Sequence, residues 1–231
     1  MEEGRCLLGP RHKYPVRNPQ SKSRCHADRF DDVGWSARYF PVYQSMICAN
    51  VAGIDLRFET ERDLFSPTNL DRGSLAMLSN INFEPNDKVL DLGCAYGLIG
   101  IYAAKIIGAE RVWISDNDPG AIEYATKNLA LNGVEGVKVI LSDGFRELGE
   151  SSFTKIVCNP PYHVDFSVPK HFIEKGFNRL VVGGTMYLVT KRKTWYYNKI
   201  RSVFGGARVR ELDSYFIFEA VKKSSTYASR A

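Results

Sequence analysis

The tetrapeptide Asn159-Pro160-Pro161-Tyr162 follows the apolar run Lys155-Ile156-Val157-Cys158, which places an amide side chain at the mouth of a strand, stiffened by two prolines. Upstream, Val89-Leu90-Asp91-Leu92 opens into Gly93-Cys94-Ala95-Tyr96-Gly97, a second strand-to-loop signal. Together they predict a cofactor loop facing a substrate amide. Gly93 and Gly97 carry no Cβ, so the backbone there turns tightly and approaches a ligand closely, and Gly100 allows a helix to lie close to a strand. The plainer reading of these glycines is a strand-to-helix turn with no ligand.

A dinucleotide site uses G-x-G-x-x-G, whose middle glycine admits a pyrophosphate at a helix N-terminus. Here that position is Ala95, and Asp91 brings a carboxylate toward the phosphates. Repulsion therefore favours a ligand with a cationic head, such as an amino-acid ammonium. S-adenosylmethionine has such a head and no phosphate. Asp116 follows the next strand, where an acid accepts hydrogen bonds from ribose hydroxyls; Asp118 stands close by, and Asp116 as a plain helix cap is the alternative. Asp143 ends a third strand, placed to accept from an adenine amino group, with Phe145 beside the ring or simply in the core.

The elements that must hold these residues alternate. Strands are expected at 88–92, 111–115, 137–141 and 155–158, with helices at 98–107 and 119–132 between them, the pattern of right-handed βαβ crossovers in a mostly parallel sheet. Pro119 suits a first helical turn and Gly133 a C-terminal cap. A helix over 70–81 precedes this unit, ended by Pro85-Asn86-Asp87. Beyond the tetrapeptide come a helix at 169–180, a turn at Gly183-Gly184, a strand at 185–190, a helix at 195–204, and Arg208 to Arg210 paired with a final strand at 214–221 as an edge hairpin. From Trp35 to Phe58, aromatic and β-favouring residues around Gly53 predict a small β layer. Met1 to Arg29 holds seven Arg or Lys with three prolines and reads as an irregular basic arm.

At 231 residues and 44% hydrophobic content, one domain with a short extension is expected. The formal charge of +5 fits a nucleic-acid partner without requiring one. Charges interrupt every apolar run before a membrane span is reached, no signal peptide is visible, and five scattered cysteines give no disulfide framework. A reducing cytoplasm is the simplest compartment. Cys6, Cys25 and His26 lack the fourth ligand and spacing of a zinc site, so no metal is expected.

Several stretches share one resemblance: Phe65-Ser66-Pro67 with Leu70-Asp71-Arg72-Gly73, Val89 to Gly100, Ser115-Asp116-Asn117-Asp118-Pro119, Ser142-Asp143-Gly144-Phe145, and Cys158-Asn159-Pro160-Pro161-Tyr162-His163. The chain resembles class I S-adenosylmethionine-dependent methyltransferases, and within them the methyltransferase small domain group that includes the ribosomal RNA guanine-N2 methyltransferases. The likeness runs from about Leu56 to Val221. It implies a Rossmann-like, doubly wound, mostly parallel α/β sheet with an antiparallel C-terminal edge hairpin. The corresponding division is an arm and β extension over 1–55, a methyltransferase domain over 56–222 and a polar tail over 223–231.

By the same resemblance, S-adenosyl-L-methionine is held by Asp91, Gly93, Ala95, Gly97, Asp116, Asn117, Asp143, Gly144 and Asn159. Catalysis falls to Asn159, Pro160 and Tyr162: the Asn159 side-chain oxygen and the Pro160 carbonyl accept the two N–H bonds of a planar nitrogen, and Tyr162 offers a stacking face. His163 is either a substrate contact or a loop residue. Such a nitrogen is a poor nucleophile until its lone pair leaves conjugation, and rigid acceptors achieve that without reorganising.

The implied reaction is methylation of an exocyclic base amine, guanine N2, in ribosomal or other RNA. Lys191-Arg192-Lys193 beside Trp195-Tyr196-Tyr197 combines charge and rings as an RNA surface does; a solvated helix start with its aromatics in the core is the alternative. Two other functions stay open: a protein glutamine N5-methyltransferase, which shares the Asn-Pro-Pro-Tyr signature, and a non-catalytic cofactor-binding adaptor.

Overall fold

The computed structural model describes residues 45–60, 70–161 and 165–228. The basic arm, Trp35, Phe65-Ser66-Pro67, Tyr162 and His163 lie outside the described residues, as do Cys6, Cys25 and His26.

The first element is a hairpin of β1 (Ser45–Val51) and β2 (Ile54–Thr60). Its two-residue turn, Ala52-Gly53, has φ of 49° and 89°, the left-handed pair that a tight hairpin turn needs. Leu56 and Phe58 of β2 are buried in the main core. The far edge of β2 is bonded by side chains of a later helix: Asn128 and Asn132 each donate to and accept from one backbone unit, at Glu59 and Arg57 respectively. Two amides thus do for this edge what a third strand would do.

Next comes α1 (Arg72–Leu78), shorter than the expected 70–81. Asp71 caps its start, accepting from Ser74 N–H at 2.6 Å. At its end the Ser79 hydroxyl and the Asn80 amide both bond Ala76 O, competing with the helical ladder and closing it.

The βαβ unit follows as β3 (Val89–Leu92), α2 (Leu98–Ile107), a 3-10 turn at Ala109–Arg111, β4 (Val112–Asp116), α3 (Pro119–Leu131), β5 (Lys138–Leu141) and β6 (Phe153–Cys158). Pro119 opens α3 as expected. Gly133, at φ 62°, closes it: Gly133 N–H donates to Ala130 O and Val134 N–H to Leu129 O, the paired bonds of a Schellman cap. Then come α4 (Ser167–Arg179), β7 (Leu180–Thr190), α5 (Lys193–Phe204), β8 (Arg208–Leu212) and β9 (Tyr215–Val221).

The sheet order is β5-β4-β3-β6-β7-β9-β8, with β3 to β7 parallel and β8 and β9 antiparallel at one edge. This is the expected doubly wound sheet with its edge hairpin. One correction concerns Gly183-Gly184, which are not a turn before the strand. They lie inside β7 and form an irregularity where the register against β6 shifts between Phe153 and Lys155. Lys222 holds them in the sheet, accepting from Gly183 N–H and donating to Gly184 O.

Alternate side chains of β3 enter opposite layers. Val89 joins the core under α1, α2 and the hairpin, while Leu90 and Leu92 join the one under α4 and α5. The C-terminal segment also differs from a free tail: Ala228 N–H donates to Val203 O, and the Tyr227 ring meets Phe177 edge-on at 5.0 Å. Among the described residues, no helix is long and apolar enough to cross a membrane.

Gly100 is where α2 presses on the sheet, since a Cβ there would lie 2.2 Å from Ile114 Cγ2. Gly100→Ala is therefore expected to destabilise the fold by about 1–3 kcal/mol. That corresponds to a Tm roughly 2–4 °C lower per kcal/mol, measured by thermal denaturation. An unchanged Tm would contradict this packing.

Candidate functional site

A cavity of ≈ 300 Å³ opens at the carboxyl ends of β3, β4 and β6. There β3 has β4 on one side and β6 on the other, so the chain order reverses and a crevice forms. The loop after β3 forms one wall, with Gly93 at φ 75°, Ala95 at 48° and Gly97 at 92°. This left-handed alternation is held against β4: Gly93 and Cys94 N–H both donate to Ser115 O at 2.8 and 3.0 Å, and Ala95 N–H donates to Asp116 Oδ2 at 2.9 Å. A Cβ at Gly93 would meet nothing within 4 Å, so this glycine faces open space. Gly97 faces inward instead, toward Ile101 and Ala125, and starts α2.

Asp91 is not in the cavity wall, which corrects the expectation that its carboxylate meets the ligand directly. It is 1% exposed and lies behind the loop, where Oδ2 accepts Gly100 N–H at 2.8 Å. Its Oδ1 is buried with no hydrogen-bond partner. Burial pushes its pKa from 3.8 up to about 7, the Asp116 charge adds to that, and the Gly100 bond opposes it.

The two readings of Asp116 separate cleanly. Asp118 caps α3, accepting from Gly120 N–H at 2.9 Å. Asp116 lines the cavity, half-buried, with Oδ2 on the loop and Oδ1 accepting from Asp118 N–H at 3.1 Å. Its pKa is raised, chiefly by burial. Asn117, Asp143 and Gly144 also line the cavity. Asp143 is exposed and ion-paired with Arg146 at 2.9 Å. Phe145, weighed as a ring wall, belongs to the core; Phe172 and Val168 from α4 supply the apolar side. The sequence hid them because a helix facing the sheet shows no sign of which residue reaches the crevice.

The opposite wall is Asn159, Pro160 and Pro161 at the end of β6. Asn159 Nδ2 donates to Asp71 Oδ2 at 2.7 Å and to Ser74 Oγ at 3.1 Å. An ionised carboxylate only accepts, so the amide must present its NH₂ to α1 and its oxygen away from it. Asp71 is thus the functional residue the sequence reading missed. Its helix-cap pattern, Asp three residues before Ser74, was legible; its reach across to Asn159, 88 positions later, was not.

Three aspartates and no lysine or arginine stand among the described residues lining this cavity: Asp71, Asp116 and Asp143. A pyrophosphate would find no counter-charge here, whereas a nucleoside with a cationic arm finds acceptors and an apolar face. Of the cysteines described, Cys94 and Cys158 are buried with thiol pKa values pushed up by burial, and Cys48 is exposed. Among the described residues, no three His, Cys, Asp or Glu side chains group as metal ligands.

The sequence pattern described as methyltransferase small domain matches residues 55–219. The chain belongs to this family. Among similar proteins, Ribosomal RNA large subunit methyltransferase G of Alteromonas mediterranea is 29% identical over 187 residues, covering 76% of this chain and 46% of that protein. Ribosomal RNA small subunit methyltransferase C of Pseudomonas putida is 30% identical over 164 residues, covering 69% and 49%. A solved 16S rRNA N2 methyltransferase of T. thermophilus, in complex with AdoMet and guanosine, superposes with a TM-score of 0.70 at 26% identity, over 79% of this chain and 52% of that one. The chain spans about half the length of the curated relatives it matches. For this methyltransferase small domain, the glycine loop and the Asn-Pro-Pro corner are the two sides of one cavity.

The raised pKa of Asp91 carries a sign opposite to that of most carboxylates. Folding favours the protonated form, so its stabilising contribution is full below 3.8 and is lost as pH rises through about 7. Asp91→Asn keeps an acceptor for Gly100 N–H and removes the titration. The wild-type Tm is therefore expected to fall more steeply than the variant's between these two pH values; parallel curves would show that Asp91 titrates normally.

Proposed function

We propose that this chain transfers a methyl group from S-adenosylmethionine to a planar nitrogen, the exocyclic N2 amine of a guanine in ribosomal or other RNA. The observation that carries the reading is the Asp71–Asn159 contact at 2.7 Å, because it turns the amide oxygen into a fixed acceptor at the mouth of an acid-lined nucleoside cavity. The relatives named for ribosomal RNA methylation, and the neighbour solved with AdoMet and guanosine, support it.

S-adenosylmethionine supplies a methyl group on a cationic sulfur; the rest is the work of this chain. Among the residues lining the cavity, Asp116 would accept from ribose hydroxyls and Asp143 from an adenine amino group, with Asn117, Gly144 and Phe172 available to the base. Gly93 and Ala95 would offer their backbone to the amino-acid arm, and Asp91 and Gly97 hold that loop from behind. Asn159 Oδ1 and the Pro160 carbonyl accept the two N–H bonds of the substrate nitrogen, which turns its lone pair out of conjugation. The family resemblance gives Tyr162, outside the described residues, the part of a stacking face for the base. Once the nitrogen has reacted, its extra proton is acidic and leaves to water, so no general base is assigned. Most of the acceleration comes from alignment.

A protein glutamine would offer the same two N–H bonds, but exposed Lys191, Arg192 and Lys193 beside the corner favour a polyanion. A non-catalytic adaptor would have no use for a carboxylate clamp on Asn159. We propose residues 56–222 as the catalytic unit and the cytoplasm as its compartment.

The test is methyl transfer from labelled S-adenosylmethionine to total RNA and to total protein, with cofactor affinity followed by calorimetry. Label is expected in RNA. Asn159→Ala should lower transfer by about 10²–10³-fold, far more than it weakens cofactor binding, and Asp71→Asn should lower kcat less severely with KM for RNA unchanged. Label entering protein alone, or full activity in Asn159→Ala, would overturn the proposal.

A further inference from the structure

Beside the Asn-Pro-Pro corner, at the carboxyl end of β7, three groups from two segments form one column. Phe166, at the start of α4, stacks on Trp195 of α5 with ring centroids 4.3 Å apart and planes 19° from parallel. The Arg192 guanidinium lies over the same Phe166 ring, 5.3 Å from its centroid. Of these aromatics Tyr196 lies in the core, 3% exposed and near Phe218, while Trp195 and Tyr197 pack against that core with part of their surface left outside it. Phe166 is 37% exposed, and Trp195 is half-buried.

Charge surrounds this column. Lys191, Arg192 and Lys193 are all exposed, and neither Arg192 nor Lys193 takes part in an ion pair among the described residues. Lys193 rests over the Phe216 ring at 5.3 Å. The cavity itself is lined by acids and the rim beside it by cations, so the two surfaces select different partners: a cationic nucleoside inside and a polyanion outside. The column sits one strand over from Asn159, because β7 pairs with β6. Between Pro161 and Val168, which both line the cavity, the chain passes through Phe166.

We infer that Phe166, Trp195 and Arg192 form a stacking shelf for a nucleotide flanking the target base in single-stranded RNA, with Lys191 and Lys193 on its phosphates. This rests on the RNA reading above. Rings and a guanidinium plane take any base by its π-face, whereas an acidic peptide would engage the charges and leave the rings unused. The shelf thus gives affinity without sequence preference and holds the strand while the target base is turned into the cavity.

Fluorescence anisotropy with fluorescein-labelled single-stranded RNAs of about 12 nucleotides, in two unrelated sequences, tests this on the full chain. Trp195→Ala and Phe166→Ala are expected to weaken binding about tenfold or more, equally for both sequences, with Trp195→Phe retaining most of the affinity. Lys193→Ala, which removes a phosphate contact, should flatten the salt dependence. Unchanged S-adenosylmethionine affinity by calorimetry shows that each variant is folded. If the parent binds and methylates RNA while Trp195→Ala and Phe166→Ala bind it as tightly, the shelf is overturned and the methylation reading stands. A parent that neither binds nor methylates RNA overturns both.

Discussion

Hydrogen bonding of β3 directly to β6, with Leu92 opposite Cys158, is the constraint on which the site rests. Two parallel neighbours in register end at the same level, so the Gly93 loop and the Asn159 corner leave the sheet side by side. The helices that follow them, α2 and α4, pack on opposite faces, and the crevice between the diverging loops is left open. Were β3 and β6 separated by another strand, roughly 5 Å would be added between the loops, and the two walls would no longer close one cavity.

Around this crevice, charge is sorted by depth. Asp91 is the deepest, uncompensated at one oxygen and held back from ionising by burial. Asp71, Asp116 and Asp143 stand in the wall with backbone or side-chain partners. Lysines and an arginine occupy the rim, laid over aromatic rings. The interior wall offers a phosphate no lysine or arginine, whereas the surface beside the corner carries three exposed cations. Among the described residues, acid-lined interior and basic surface are thereby kept on separate sides of the corner.

The hairpin contributes to the site from a distance. Asn128 is fully buried and bonds both the β2 backbone at Glu59 and the carbonyl of Tyr96 in the cofactor loop at 2.9 Å. Phe58 of β2 meets the Tyr96 ring edge-on at 5.4 Å. The loop is therefore clamped between β4 on one side and the hairpin with α3 on the other, which is how three left-handed residues in five positions persist, one of them an alanine.

What the sequence determined by itself was local and periodic: where strands and helices alternate, that Pro119 starts a helix and Gly133 ends it, and that Asn159 and Gly93 close two strands. These depend on neighbours a few residues away, and residue type records them. Only the tertiary structure decided that Gly183-Gly184 stay inside β7, that Asp91 stands behind the loop, that Asp118 rather than Asp116 caps α3, and that Asp71 orients Asn159. Each turns on a partner outside the residue's own element, from Gly100 nine positions after Asp91 to Asn159, 88 after Asp71. A carboxylate's role is set by which donor lies within 3 Å of it, and sequence spacing carries no such distance.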